Sequence, residues 1–169
     1  MATYFARKSG NINAADVWAT TPSGTAAAVT FASGDVLVAN SFTITVNVST
    51  DLGGTGQLRN DTTGGATGGG GFTLSDGITL TANIFGGSVG STNCVTANPS
   101  TNVWIVGNIT GGAVGLSYGL NNSSGTGTIN VTGNVTAGSS SFNATVGVAL
   151  NTATLSISGN VTGGATGAG

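Results

Sequence analysis

A ten-residue phrase recurs four times between residues 78 and 164. The copies are ITLTANIFGG from Ile78, VWIVGNITGG from Val103, INVTGNVTAG from Ile129 and LSISGNVTGG from Leu155, so a nearly constant interval separates their starts. A fixed period of this kind is typical of repeat architectures, in which each copy builds one unit that stacks on the next. No other feature of the sequence constrains the fold as strongly.

Apolar and polar residues alternate within each phrase, and this period of two predicts a strand with one buried face. Equivalent aliphatic side chains would then stack from copy to copy. We therefore expect an all-β fold, a β-solenoid (β-helix) with rungs of about 26 residues, each rung lying about 4.8 Å from the next. The predicted rung core consists of Ile78, Leu80, Ile84, Val103, Ile105, Ile109, Ile129, Val131, Val135, Leu155, Ile157 and Val161.

The segments between the phrases argue against crossover helices. Residues 111–128, GGAVGLSYGLNNSSGTGT, have no helical period and many helix breakers. The chain holds 31 glycines and much Thr, Ser and Asn, all weak helix formers. Because 38% of the residues are apolar and the net charge is only −2, we expect an ordered chain rather than a disordered one.

One asparagine occupies the same position in every phrase, next to a small residue. The four are Asn83, Asn108, Asn134 and Asn160, and they follow Ala82, Gly107, Gly133 and Gly159. Stacked amides can form a side-chain ladder, and the small neighbour permits a bend, so this pair is interpreted as a corner of the coil. Asn108, Asn134 and Asn160 also begin Asn-X-Thr glycosylation patterns, but no export signal accompanies them, which favours the ladder.

Three regions follow from where the repeat is visible. Residues 1–30 form an N-terminal arm, residues 31–71 a β-rich segment with a Gly-rich linker, and residues 72–169 the solenoid, which we expect to continue past residue 169 in the natural protein. Within the middle region, SGDVLVANSFTITVNVST (residues 33–50) predicts two strands around a turn at Asn40-Ser41. This stretch is either a leading rung or a separate small β-domain.

The N-terminal arm has little periodicity and carries several aromatic and basic residues. Tyr4, Phe5, Arg7, Lys8 and Trp18 stand out. A solenoid needs atypical ends, because an uncovered rung offers its backbone groups to other strands. The arm is therefore either a cap on the first rung or a surface that docks on another protein.

The sequence offers little material for catalysis or for ligand chemistry. It has no His, and from Gly77 onward it has no charged residue, so the repeats lack the groups of acid–base catalysis. Asp16, Asp35, Asp51, Asp61 and Asp76 are interpreted as turn residues. A lone Cys94 excludes an intramolecular disulfide. We predict no enzyme, no cofactor, no metal, no nucleic-acid partner and no membrane insertion.

Outward positions of the rungs are mostly hydroxyl and amide side chains. They are Thr79, Thr81, Trp104, Val106, Asn130, Thr132, Ser156 and Ser158. Trp104 interrupts this series; it could stack on a sugar, but packing against a neighbouring chain is the commoner fate of a large aromatic side chain.

The start MATYF, the strand phrase SGDVLVANSFTITVNV and the Gly-Asn-Ile/Val-Thr-Gly-Gly repeats together resemble virion proteins of tailed bacteriophages, in particular fibre and tailspike-like proteins with repetitive β-structure. The resemblance implies a structural virion component, made in the host cytoplasm and attached to other virion proteins through its N-terminus. It also implies a homotrimer whose repeats project toward a host surface glycan. No glycosidase carboxylates carry over, because the rung positions have none.

Two alternatives stay open at this point. A capsid-surface decoration or fibre protein would also need a docking end and a projecting end. A bacterial β-solenoid surface adhesin would use the same stacking, and it predicts an export signal upstream of Met1.

Overall fold

A computed structural model describes residues 1–60, 70–87, 93–112, 118–138 and 148–163. Every regular element in these residues is a β-strand, and they contain no helix. The all-β prediction is therefore confirmed for the described part of the chain.

The strands are grouped in successive coils along the chain. The first coil has β1 (Thr3–Ala6), β2 (Gly10–Asn11) and β3 (Trp18–Ala19), and the second has β4 (Val36–Val38), β5 (Thr43–Val46) and β6 (Thr50–Asp51). The third has β7 (Gln57–Arg59), β8 (Gly71–Leu74) and β9 (Thr79–Thr81), and the fourth has β10 (Asn83–Phe85), β11 (Val95–Ala97) and β12 (Asn102–Val106). The fifth has β13 (Ile109–Thr110), β14 (Leu120–Asn121) and β15 (Thr128–Thr132). The sixth has β16 (Val135–Thr136), β17 (Val148–Ala149) and β18 (Thr154–Ile157), and β19 (Val161–Thr162) opens the next.

Equivalent strands of successive coils pair in parallel and form three sheets. Sheet A runs in the order β19-β16-β13-β10-β7-β4-β1-β3, sheet B in the order β17-β14-β11-β8-β5-β2 and sheet C in the order β18-β15-β12-β9-β6. The inward row of sheet A advances by one nearly constant step per coil, through Leu58, Ile84, Ile109, Val135 and Val161. The predicted β-solenoid is thus confirmed with the predicted rung length, and each rung has three sides.

Residues 33–50 belong to the stack, where they form most of the second coil, as expected for a leading rung rather than for a separate β-domain. β4 pairs with β1 on one side and β7 on the other, and β5 pairs with β8, so the sheets pass residue 72 without interruption. The step from Val36 to its register partner Gln57 is shorter than the steps of the later coils. The predicted turn is present, with positive φ at Asn40 and Ser41. Most of the Gly-rich linker, residues 61–69, lies outside the described residues.

The inward side chains of the three sheets form one apolar core. Nine of the twelve predicted core residues are buried: Ile78, Leu80, Ile84, Val103, Ile105, Ile109, Ile129, Val131 and Val135. Leu155 and Ile157 are partly buried and Val161 is 68% exposed, because they lie in the last described coils. With Val135 and Val148, these three side chains help line a cavity of about 180 Å³ at that end of the core. Cys94 is buried, as a small apolar residue would be.

Candidate interaction surfaces

The N-terminal arm covers the open end of the first coil. β3 turns back and pairs antiparallel with β1, which ends sheet A against a strand of opposite direction. Trp18 is fully buried, and its Nε1 donates to the carbonyl of Ile12 at 2.7 Å. Its indole stacks on Phe72 at 6.4 Å and meets Phe31 edge-on at 5.6 Å. Trp18 therefore acts as a capping residue, since a ring with no exposed surface cannot contact a partner.

The other aromatic residues of the arm are also turned toward the protein. Phe5 is 8% exposed and packs with Val36 and Val38. Tyr4 is partly buried and contacts Phe31 edge-on at 5.5 Å. Of the candidate attachment residues, Phe5 thus joins Trp18 in the interior, and only the basic residues and the edge of Tyr4 remain accessible.

The two basic residues of the arm have local partners. The Lys8 ammonium forms an exposed ion pair with Asp16, and the hydrogen bond from Lys8 holds the pKa of the Asp16 carboxyl below its ordinary value. Arg7 donates to the carbonyl of Pro22. An exposed ion pair adds little to stability, because water and salt screen it. These groups therefore make the surface of the capped end polar, but they do not create a strong electrostatic field.

The outer face of sheet C is in regular register and uncharged from β9 to β18. Trp104 is 41% exposed and lies in register between Thr79 and Asn130. Val106 is 38% exposed and lies between Thr81 and Thr132. Both side chains come from β12, at alternate positions on the same face. Together they form an apolar patch, called here the β12 patch, within a polar face.

Asn83, Asn108, Asn134 and Asn160 lie on one corner, between sheets C and A, as the repeat predicts. The backbone N–H of Asn108 donates to Oδ1 of Asn83 at 2.9 Å, that of Asn134 to Oδ1 of Asn108 at 2.9 Å, and that of Asn160 to Oδ1 of Asn134 at 3.0 Å. The side-chain oxygens of Asn83, Asn108 and Asn134 therefore each accept from the backbone N–H at the bend of the next coil. In this ladder a backbone N–H donates to a side-chain oxygen of the preceding coil, and the Nδ2 of Asn108 also donates to Oδ1 of Asn83 at 3.2 Å.

A second asparagine ladder, which the sequence analysis did not find, lies between sheets B and C. Oδ1 of Asn98 accepts from the backbone of Ser123 at 3.0 Å, and Oδ1 of Asn122 accepts from the backbone of Asn151 at 3.3 Å. Asn122 is buried, and its Nδ2 donates to Ala97 at 2.9 Å. The available signal was an asparagine one or two residues after β11, β14 and β17, but the unequal lengths of the segments ahead of those strands concealed the spacing.

The described carboxylates accept hydrogen bonds from other groups of the protein. Asp51 accepts from the backbone of Gly53 at 2.8 Å and Asp76 from that of Ser100 at 2.8 Å, both at turns. Asp35 accepts from two backbone N–H groups. Asp61 lies outside the described residues. Within the described part of the chain no group of three or more potential metal ligands comes together, and no helix there is long and apolar enough to cross a membrane.

Comparison of the chain with protein-family models, with curated proteins and with solved structures found no match.

Proposed function

We propose that this chain is a non-enzymatic structural component of a bacteriophage particle, a tail fibre or spike that docks through its capped N-terminal end and projects its coils outward. The observation that carries the proposal is the polarity of the stack. One end is closed by Trp18 and an antiparallel strand, while the sequence of the coils after Asp76 contains no charged residue. The virion setting rests on the resemblance of the phrases described above.

A homotrimer is part of the proposal, and the β12 patch is its contact. Burial of Trp104 and Val106 between chains would contribute about 1–3 kcal/mol per side chain. The polar positions that flank them, Asn130 and Thr132, can form uncharged hydrogen bonds at the rim, which is the usual arrangement of an interface. Three-fold symmetry also closes on itself, so a defined fibre segment forms rather than an open polymer.

Sedimentation equilibrium tests the assembly. The wild-type chain should have three times the 16.1 kDa chain mass, and Trp104→Ser together with Val106→Thr should shift it to the mass of a monomer. The matched control is Val48→Thr, since Val48 is 40% exposed but lies between β5 and β6, away from the β12 patch. A wild-type monomer, or the same dissociation with Val48→Thr, would contradict the trimer.

The place in the particle needs a separate measurement. Gold-labelled antibody against the chain should decorate the tails of phage particles that carry it. Label on the capsid shell would instead favour the decoration protein, and label on uninfected bacteria would favour the adhesin.

A further inference from the structure

Two side-chain oxygens are buried at the corner between sheets A and B. They are Oδ1 of Asn60, the residue that follows β7, and Oδ1 of Asn93, which lies shortly before β11 in the next coil. Asn60 is 2% exposed. No donor in the described part of the chain lies within hydrogen-bonding distance of either oxygen. Because a buried acceptor that lacks a donor destabilises the folded state, these two atoms point to a donor from outside the described chain.

The orientation of the Asn60 amide is fixed by the adjacent coil. Its Nδ2 donates to the backbone carbonyl of Asn93 at 3.3 Å. Exchange of Nδ2 and Oδ1 would place two acceptors against each other, so the oxygen cannot take the place of the nitrogen. The same hydrogen bond brings the Asn60 amide against Asn93, so both oxygens belong to one corner, where the third coil meets the fourth.

At the other two corners the asparagine oxygens accept from the chain itself. Between sheets C and A, Oδ1 of Asn108 accepts from the backbone N–H of Asn134 at 2.9 Å. Between sheets B and C, Oδ1 of Asn122 accepts from the backbone nitrogens of residues 151, 152 and 153. In both ladders the amide oxygen faces a donor of the next coil, whereas at Asn60 the amide nitrogen faces the next coil. The oxygen of Asn60 therefore needs a donor that neither ladder supplies.

We propose that this corner is a binding site for internal water, which donates to Oδ1 of Asn60 and to Oδ1 of Asn93. Internal water in proteins has about two to four polar partners, most of them groups that the chain leaves unpaired. The water joins the third coil to the fourth, in the way that a ladder asparagine joins coils at the other corners.

A metal cation fits these two oxygens less well than water does. A hard cation takes about six oxygen ligands and favours carboxylates, whereas both oxygens here belong to neutral amides. Within the described residues no group of three or more potential metal ligands comes together. The residue before Asn60 is Arg59, whose positive charge opposes a second cation nearby. The chemistry of the corner therefore favours a neutral donor.

NMR cross-relaxation between water and the Asn60 side chain tests the site. The Nδ2 protons of Asn60 should show cross-peaks to water that differ in sign between laboratory-frame and rotating-frame spectra, as for water that stays longer than the protein takes to tumble. Chemical exchange with solvent gives the same sign in both spectra. The matched control is the amide of Asn83, because its Nδ2 donates to the carbonyl of Gly54 and its Oδ1 accepts from Asn108. No cross-peak of this kind at Asn60, or the same cross-peaks at Asn83, would overturn the proposal.

Asn93→Leu gives a second readout, because it removes one of the two oxygens and keeps the backbone carbonyl that accepts from Asn60. With water at the corner, the substitution should weaken the Asn60 cross-peaks and lower the thermal midpoint by about 2–4 °C, since the water loses a partner. If the corner is dry, the midpoint should stay the same or rise, since an oxygen without a donor is removed, and the proposal is wrong. The matched control is Asn47→Leu, at an exposed asparagine between β5 and β6, which should leave the midpoint unchanged.

A bound cation is distinguished from water by titration. Sodium, potassium and calcium chloride at constant ionic strength should give one thermal midpoint, because water at the corner needs none of these ions. A midpoint that rises with one of the three cations in the wild-type chain, and not in Asn93→Leu, would replace the water with a metal ion and overturn the proposal.

Discussion

Glycine at the corner between sheets C and A allows successive coils to approach closely. Gly107 and Gly133 both have φ of 152°, a region that residues with a side chain rarely adopt. A Cβ placed on Gly133 would lie 2.1 Å from the carbonyl oxygen of Gly107, in the coil before it. The next residue is a ladder asparagine, whose backbone N–H is satisfied from that same coil. At Gly107 and Gly133, therefore, the close approach of the preceding coil requires glycine.

Gly133→Ala should destabilise the protein. The added methyl group can be accommodated only if the corner moves away from the coil before it, and the residue must also keep a strained φ, so we expect a loss of about 1–3 kcal/mol or more. Urea unfolding followed by circular dichroism measures it. The matched control is Gly54→Ala, because a Cβ there meets nothing within 4 Å. If both substitutions lower the free energy of unfolding equally, the close approach at the corner does not require glycine.

At the scale of single elements, the first coil differs from the later described coils because β1 has no parallel partner on one side in sheet A. β3 fills that place with a strand of opposite direction, and the Trp18 indole covers the aliphatic interior. Edge strands that are left open pair with other chains, so this cap protects the solenoid as well as completing its core.

Trp18→Ala should therefore cost about 3–5 kcal/mol and cause aggregation, since it empties a large buried volume and weakens the cap. Trp18→Phe keeps an aromatic ring and loses the hydrogen bond to Ile12, so its cost should be smaller. Thermal unfolding with light scattering measures both effects. Trp104→Ala is the control, because that ring is 41% exposed and its loss should alter association more than monomer stability. If Trp18→Ala lowers the free energy of unfolding only slightly and the variant stays soluble, the capping role is contradicted.

The elements that could be predicted from sequence are those where alternation and the corner phrase coincide. The strands β9, β12, β15 and β18 have both signals, and the inward residues named for them are the ones that pack together. The sequence analysis missed β7, the first strand of the third coil, because Gln57 replaces the ladder asparagine after Gly56, although Leu58 occupies the core position paired with Ile84. For residues 33–50 the sequence predicted the strands but left a leading rung and a separate β-domain as alternatives, because the step from Val36 to Gln57 is shorter than the period of the phrase. Composition alone could not distinguish a cap from a docking arm, since both need aromatic residues.

At the scale of the whole molecule, stacking brings every outward side chain within about 5 Å of its equivalents in the adjacent coils. A charge on the repeat would thus be opposed by the same charge in the next copy, and the chain has none after Asp76. Asn, Ser and Thr in the same positions can hydrogen-bond without repulsion. The absence of charge follows from the periodicity itself, and it leaves the sheet C face suited to an uncharged contact.

Paired aspartates on sheet C test this directly. Asn130 and Ser156 are register partners in adjacent coils, whereas Thr79 and Ser156 are three coils apart in the same row. In a double-mutant cycle, Asn130→Asp with Ser156→Asp should show an unfavourable coupling of about 0.2–1 kcal/mol. Thr79→Asp with Ser156→Asp should show almost none, because about 14 Å separates their strands and salt screens charges beyond about 8 Å at 0.15 M. The first coupling should also fall as salt rises, in urea unfolding at low and high sodium chloride. Equal couplings for the two pairs, or a coupling unaffected by salt, would mean that stacking does not disfavour charged residues. The lack of charge in the repeats would then have another cause.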